Sequence, residues 1–596
     1  MNRVGRGRFW YAGRRMRCSG RLWWSGLCAL AIACSDGDAD LGAGADASTD
    51  AGCAGSARVC SADATRVERV CGGDARRVAT DCQAVGQLCE EGACVEPWRY
   101  GSPVYPDCAD DPGATKESLA QKATSYDAIA PRLHVHPDIG LALAVRLKPD
   151  VPQSKATWRD VASWLDDNHF AIWGGMYTAS QAYRYAVTRD AEALENVRVQ
   201  VANLARWMKL SGVPGLFMRA NHPPGVEGYA CPDDPAAYAE TPPGATDRQN
   251  GYRQIREDGC YWVTDAKTHA WKKTNHCGLQ EFAGFCVVDN VSKDIYSGHL
   301  FALGTVYQLV DDPEIQATVR DLAGQIGRHL MDNELQIIDW DGQRTSFGDL
   351  YASPIGIGLN AAVTLGWIKL AVLATGDPEL RDFYDNCLLQ RDGKRDCIEH
   401  DFGRVKSYVE HLKTPWFYDI APGCSINPSN ISIHIVSLHH YVWLETDPDI
   451  RAVAQETFDT EVMHPDHPRA ASFDHNPFWN FMWAGQKRLG PDSDGPDHDA
   501  VEDGTCNLRR FPSSLEQREI RVTDKYEITC QARGDRPATD TPLPVDEQCQ
   551  SWFTWWNRDA HVVEDCAADP SFVHQPAAYL LPYWMGRYYG FIQRDW

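Results

Sequence analysis

Basic residues are the scarce class in this chain. Its 596 residues include 58 Lys and Arg against 82 Asp and Glu, a formal charge of −24. Seven of those Arg fall in the first 33 residues, which hold no acid, so the remainder stands at 51 against 82, or −31. A chain so short of positive charge is a poor reader of nucleic acid, because phosphate contacts need clustered Lys and Arg. Neither Gly-x-Gly-x-x-Gly nor a Walker loop occurs, so no nucleotide cofactor is implied. The serine-hydrolase elbow Gly-x-Ser-x-Gly is absent as well. No His lies among the six cysteines of residues 53–94 and no Cys-x-x-Cys occurs there, which argues against zinc. His464, Asp466, His467 and His475 crowd one loop, and His134 and His136 alternate, without the spacing of a ligand set. Solvated loop histidines are expected, and no metal. The acidic run Asp492 to Asp503 lacks the glycine position of an EF-hand.

Cysteine and aromatic residues are abundant: 21 Cys, 21 Trp, 23 Tyr and 18 Phe. With 43% apolar residues, most of the chain can bury a core. The N-terminus reads as an address. Arg3, Arg6, Arg8, Arg14, Arg15, Arg17 and Arg21 precede an apolar run from Leu22 to Ala33. That is the order of an export signal, and the run is too short to span a membrane. Leu30-Ala31-Ile32-Ala33-Cys34 resembles a bacterial lipobox. The resemblance implies that Cys34 is acylated, that residues 1–33 are removed, and that an outer-membrane or cell-surface lipoprotein results, with the membrane as its partner. An ordinary signal peptide cut nearby is the alternative. Parity agrees with lipid: without Cys18, Cys28 and Cys34, 18 cysteines remain, the even number a disulfide framework needs. Residues 34–52 follow as an acidic tether, since Ser35 to Gly52 has five Asp and no Lys or Arg.

Cys53, Cys60, Cys71, Cys82, Cys89 and Cys94 then read as three disulfides stapling a small module, residues 53–94, whose connectivity stays open. A connector over 95–130 and a large domain over 131–596 complete the chain. Cys387 and Cys397 flank a turn-like stretch and look like a local pair, and Cys231 to Cys286 punctuate a long polar insertion. Two disulfide-pinned insertions are expected, at about 221–288 and 486–566.

The large domain has a helical period. One pattern recurs: an apolar helix, a short acidic turn, a second helix. The turns fall at Asp190, at Asp312-Pro313-Glu314, at Asp377-Pro378-Glu379 and at Asp447-Pro448-Asp449. Each Asp is placed to cap the second helix, the Pro to take its first position, and the following acid to meet the helix dipole. The spacing is too uneven for a regular solenoid. Uneven hairpins with long insertions predict a mainly α fold, an (α/α) toroid of helical hairpins; an open hairpin array is the other arrangement.

Several stretches resemble a family of exported bacterial helical proteins with no assigned activity. They are Asp167 to Tyr177, Gly212 to Gly215 with Arg219, Asp289 to His299, Asp339-Trp340-Asp341-Gly342, and Tyr579 to Tyr588. Together they span nearly all of the large domain. The chain departs from the family pattern at His169 and Phe170, where relatives tend to have Asp and Gly. The resemblance implies the fold of the (α/α)6 toroid, or six-hairpin glycosidase, superfamily.

In such a toroid the inner helices begin at one funnel, so functional residues belong at their starts. Asp167 precedes a helix whose Trp173, Tyr177, Gln181 and Arg184 share one face. This is either a cavity wall that stacks on sugar rings or an inter-helix aromatic cluster with satisfied polar tips. Asp294 stands in the first turn behind Ser292, either as dipole complement or as a carboxylate at the cavity floor. Asp294 and Asp167 are the candidate catalytic acids. Trp173, Tyr177, Gln181 and Arg219 are the candidate substrate contacts, with Arg219 placed to neutralise an anionic sugar. His299 reads as a core histidine, and Gly298 and Gly304 as points of close packing. Asp339 to Gly342 is favoured as a turn. A glycan is the expected ligand, and protein partners stay open. Three roles stand: a surface enzyme of the glycoside hydrolase or polysaccharide lyase kind, a non-catalytic glycan-binding lipoprotein, or an envelope-assembly lipoprotein. The first check is anchoring. A Cys34→Ala chain is expected to leave the membrane fraction on cell fractionation, and retention equal to wild type would refute the lipid at Cys34.

Overall fold

The computed structural model describes residues 58–61, 66–70, 76–81, 88–90, 93–95, 108, 111–165, 170–242, 248–351, 358–391, 407–413, 428–463, 474–486, 496–532, 534–549 and 559–594. Cys34, the export segment and the tether lie outside them. Within the cysteine-rich stretch, β1 (Arg58–Cys60), β2 (Arg66–Val70) and β3 (Arg76–Asp81) form an antiparallel sheet. A separate hairpin pairs β4 (Leu88–Glu90) with β5 (Ala93–Val95). A Cys60–Cys89 disulfide joins the two.

The large domain is a ring of helices in two layers. In chain order these are α1 (Leu119–Ile129), α2 (Phe170–Thr188), α3 (Ala191–Ser211), α4 (Lys293–Leu309), α5 (Pro313–Asp332), α6 (Gly358–Thr375), α7 (Pro378–Asp382), the short α8 (Tyr408–Leu412), α9 (Pro428–Leu444), α10 (Pro448–Thr457), α11 (Pro477–Gln486), α12 (Pro496–Arg510) and α13 (Ala577–Tyr588). Helices α2, α4, α6, α9, α11 and α13 pack on one another as the inner layer, and α3, α5, α7, α10, α12 and α1 back them from outside. The sequence explains who goes where. Helix α6 is apolar all round and buried on every side, long enough to cross a membrane yet serving as core. Helix α5 instead carries one stripe, Ile315, Val319, Leu322, Ile326 and Leu330, at helical spacing.

All four acidic turns fall where the sequence puts them, at the ends of inner helices, and they build one closed end of the ring. Asp190 accepts from Glu192 N at 3.0 Å, Asp312 from Glu314 N at 3.1 Å, Asp377 from Glu379 N at 2.9 Å and Asp447 from Asp449 N at 3.1 Å. The outer segment of one hairpin also reaches the cap of the next: Arg198 binds Asp312 at 3.0 Å, Arg328 binds Asp377, and Arg391 binds Asp447 at 2.8 Å. Above this floor Tyr183, Trp443 and Tyr588 meet, with centroids 5.4 to 6.2 Å apart. The packing glycines are explained. A Cβ on Gly175 would lie 2.4 Å from the Gly298 carbonyl oxygen, and one on Gly304 would lie 2.8 Å from His440 Nδ1. Buried His299 sits against Phe217, and burial pushes its pKa down to about 3.

The long connections all lie at the opposite end, the mouth. Before α2 come β6 (Val145–Leu147) and β7 (Val161–Trp164). Between α3 and α4 lie β8 (Ala220–His222), β9 (Tyr252–Ile255), β10 (Cys260–Thr264), β11 (Trp271–Cys277) and β12 (Cys286–Val288), an antiparallel sheet in the order β11-β10-β9-β12-β8. Disulfides Cys231–Cys286 and Cys260–Cys277 pin it. A hairpin of β13 (Gln336–Ile338) and β14 (Arg344–Asp349) precedes α6. Between α12 and α13 run β15 (Glu516–Gln517), β16 (Cys530–Ala532), β17 (Arg536–Ala538) and β18 (Asp569–Val573), with a Cys549–Cys566 disulfide. Cys387 is disulfide-bonded, while Cys397 lies outside the described residues.

Two boundaries differ from the sequence reading. Residues 119–129, expected in the connector, are the outer helix α1. The second insertion begins after residue 510, because 496–510 is the outer helix α12. Both serve ring closure. Helix α1 packs on α13, and a sheet in the order β15-β18-β6-β7 joins the first mouth loop to the last. Lys122 Nζ donates to the carbonyls of Leu508, Arg509 and Phe511 at 2.9 to 3.0 Å, capping α12. Asp127 on α1 is the hub. Gln181 Nε2 of α2 donates to it at 2.9 Å, Trp584 Nε1 of α13 at 3.0 Å, and Arg184 stands 3.5 Å away. Asp127→Ala is expected to cost about 3 kcal/mol in urea unfolding, since it strands buried donors. Asp127→Asn should cost less than half of that, and an Ala variant as stable as wild type would remove Asp127 from the closure.

Candidate functional site at the mouth

The start of α4 is the best-defined part of the mouth. The sheet aims its side chains there by register. Val287 pairs with Asn221 and with Arg253, so Arg219, Asn221, Arg253 and Asp289 project on one face. Asp289 Oδ1 accepts from Gly251 N at 2.9 Å. Its Oδ2 accepts from Arg253 Nη2 at 2.7 Å and from Trp340 Nε1 at 3.0 Å. The Asp339 to Gly342 turn forms as expected, with Gly342 N donating to Asp339 O at 2.9 Å and a φ of 76° at Gly342. The turn also buries a carboxylate. Asp339 Oδ2 accepts from Asn290 N at 2.8 Å and from Arg248 Nη2 at 3.1 Å, and Arg248 Nη1 reaches Asp341 at 2.8 Å. Burial, and then repulsion from Asp289, push the Asp339 pKa well up; Arg248 and two backbone N–H groups oppose them.

This network holds Asn290 in the left-handed region, φ 59°. Its Oδ1 accepts from Ser346 N at 2.8 Å, its Nδ2 donates to Arg248 O at 3.0 Å, and its carbonyl accepts from Arg219 Nε at 2.6 Å. Such a backbone persists only where the surroundings over-determine it. The next residues are Val291, Ser292 and α4. Ser292 takes the N-cap position without its side chain bonding there. Among the described residues its buried Oγ and both amide atoms of buried Asn221 have no hydrogen-bond partner. Such groups are rare in native proteins and point to function or to a bound molecule.

The structure brings Arg219 and Asp294 together. Asp294 is half-buried in the first turn of α4. Arg219 is 4% exposed; burial lowers its pKa, while the charges of Asp294, Asp289 and Asp339 oppose that shift. Asp167 lies outside the described residues, as does the side chain of Trp173. Tyr177 and Gln181 are not brought to this place: both are fully buried, and Gln181 belongs to the closure network around Asp127. Gln181 and Arg184 of that helical face have inter-helix polar partners. Arg184 binds Asp190 and, at 3.0 Å, Glu192.

Asp289, Arg248 and Arg253 were not singled out for chemistry in the sequence, and Asp339 was favoured as part of a turn. The only sign was that Asp289 and Asp339 both stand in the stretches shared with the resembled family. A second polar cluster precedes α11. Asp474 lies 3.2 Å from His561, and His475 lies 2.5 Å from Asp503. His475 is therefore an anchored histidine and not a simple solvated one; His464, Asp466 and His467 lie outside the described residues. Among the described residues no three His, Cys, Asp or Glu gather to hold a metal ion.

Among the described residues six inner and six outer helices alternate as an (α/α) toroid of helical hairpins. No protein-family model and no curated protein matches the chain. Among solved structures it is similar to an endoglucanase from Clostridium thermocellum complexed with cellotriose. That match has 8% identity and a TM-score of 0.36, and it covers 78% of this chain and 70% of the other. It is similar to a cellulase of C. cellulolyticum at 9% identity and TM-score 0.35, covering 80% and 100%. An α-1,6-mannanase from Salegentibacter sp. HEL1_6 matches at 9% identity and TM-score 0.34, covering 79% and 99%. Likeness at this level concerns the fold alone.

The Asp289–Asp339 pair has a pH consequence. A carboxyl whose folded pKa is raised supports folding below its unfolded value, near 3.9, and loses that support as pH rises through the raised value. Asp339→Asn should therefore gain stability relative to wild type as pH is raised from about 4 to 8. Thermal melting of both proteins across that range checks it, and a stability difference constant with pH would contradict it.

Proposed function

We propose that the protein is a surface lipoprotein, anchored through Cys34, whose toroid mouth binds a glycan and cleaves its glycosidic bonds. The observation that carries this reading is the start of α4. A half-buried acid, Asp294, and a nearly buried cation, Arg219, stand at a helix start where polar atoms of Ser292 and Asn221 have no hydrogen-bond partner among the described residues. A polyhydroxylated ligand supplies both donors and acceptors for such groups. Arg219, held by Asn290 and drawn to Asp294, can steer that carboxyl or neutralise an acidic sugar. In this reading Asp294 is the general acid or base of hydrolysis or elimination. The export signal and the lipobox-like Leu30 to Cys34 support the surface location. The test is Asp294→Asn, assayed on a panel of neutral and uronic-acid polysaccharides. Turnover should fall about 100-fold or more while the melting temperature holds. Unchanged turnover together with a large loss of stability would make Asp294 a helix-capping residue only.

A further inference from the structure

The cluster before α11 is built as a proton-transfer device. Three consecutive residues are tied in three different ways. Asp474 Oδ1 lies 3.2 Å from His561 Nε2, and the other ring nitrogen of His561 lies 2.8 Å from the Thr539 carbonyl oxygen. Asn476 Oδ1 accepts from Phe478 N at 3.2 Å and caps α11. Between them His475 holds a φ of 51°, and its Nδ1 lies 2.5 Å from Asp503 Oδ1. Asp503 is itself fixed: Asn480 Nδ2 donates to its Oδ2 at 2.8 Å and Asn507 Nδ2 to its Oδ1 at 3.1 Å. With Nδ1 committed, Nε2 is the nitrogen left for a reacting group, on a side chain that is 35% exposed.

We propose that His475, oriented by Asp503, is a catalytic proton acceptor of the mouth, acting on the water that attacks a bound glycan. The proposal rests on the glycan-cleaving reading. Helices α4 and α11 are the second and fifth of the six inner helices, so the helix starts that carry Asp294 and follow His475 belong to facing sides of the ring. Nε2 takes a proton from water as the water oxygen bonds to the anomeric carbon. The glycosidic C–O bond breaks, its electron pair leaves with the departing oxygen, and that oxygen takes the proton of Asp294. The groups facing His475 are Asp474 on its own segment, Asn480 on α11, Asp503, Asn507 and Arg510 on α12, and Asp559 and His561 beyond Asp474. Burial lowers its pKa and Arg510 acts in the same sense, yet the hydrogen bond and charge of Asp503, with Asp474 behind, carry it above the ordinary value. A base poised near neutral pH is the efficient kind. Asp503 is a positioning residue, since it reaches the reaction only through the imidazole.

Two measurements on the full chain test this. First, histidine-selective 15N NMR should show one imidazole, assigned through His475→Gln, titrating above the ordinary value and moving down in Asp503→Asn. A His475 titration unmoved by Asp503→Asn overturns the proposal without any substrate. Second, on any polysaccharide of the panel that wild type degrades, His475→Gln should lower kcat about 100-fold or more with KM within a few-fold. Asp503→Asn should move the acidic-side inflection of the pH–rate profile to lower pH. Wild-type turnover with an equally active His475→Gln overturns this proposal and leaves the glycan reading standing. A wild type that degrades no polysaccharide of the panel overturns both.

Discussion

Closure of the ring around buried Asp127 is the constraint on which the rest depends. A helical hairpin can bury only one side against its neighbour, so a row of hairpins leaves two raw apolar ends unless the last meets the first. Here the first helix of the domain lies on the last, and the carboxylate of Asp127 takes donors from α2 and α13 at once. Burial pushes the pKa of that carboxyl up to about 6, against the pull of Arg184, Gln181 and Trp584. The cost of burying it is tolerated because no apolar contact would fix the register of three helices so sharply. The mouth sheet adds a second fastener, pairing β6 with β18 across more than 400 residues of chain.

The two ends of the ring obey different rules. The closed end uses Asp-Pro turns that satisfy their own N–H groups, and arginines from adjacent hairpins reinforce them. Those arginine pairs are partly exposed and individually worth little. The real strength of the floor is the aromatic plug of Tyr183, Trp443 and Tyr588. The mouth has no such economy of chain. Its loops run long, need disulfides, and bury charged groups that must find one another.

That need is clearest at the start of α4. Two carboxylates, Asp289 and Asp339, are buried beside each other and are balanced by Arg248 and Arg253. Removing such charges to an apolar core would often be neutral or stabilising. What the network achieves is placement. It forces Asn290 into a left-handed turn, aims the first turn of α4, and sets Asp294 next to Arg219. The Asp503 clamp on His475 follows the same logic at the start of α11.

Local chemistry was legible from the residues. The four capped turns depend on a residue and its near neighbours, because caps and dipoles act within a turn or two of helix. The sheet between α3 and α4 was not legible, since its strands are three to seven residues long and lie within a polar insertion. Nor was the pairing of Asp289 with Asp339, 50 positions apart, or of Asp127 with Trp584, 457 apart. Gln181 and Arg184 shared a face that read equally well as cavity wall or helix contact, and the partner on α1 settled the matter. A side chain's role at such places is fixed by charges and donors brought in from distant segments, and those distances are set only when the ring closes.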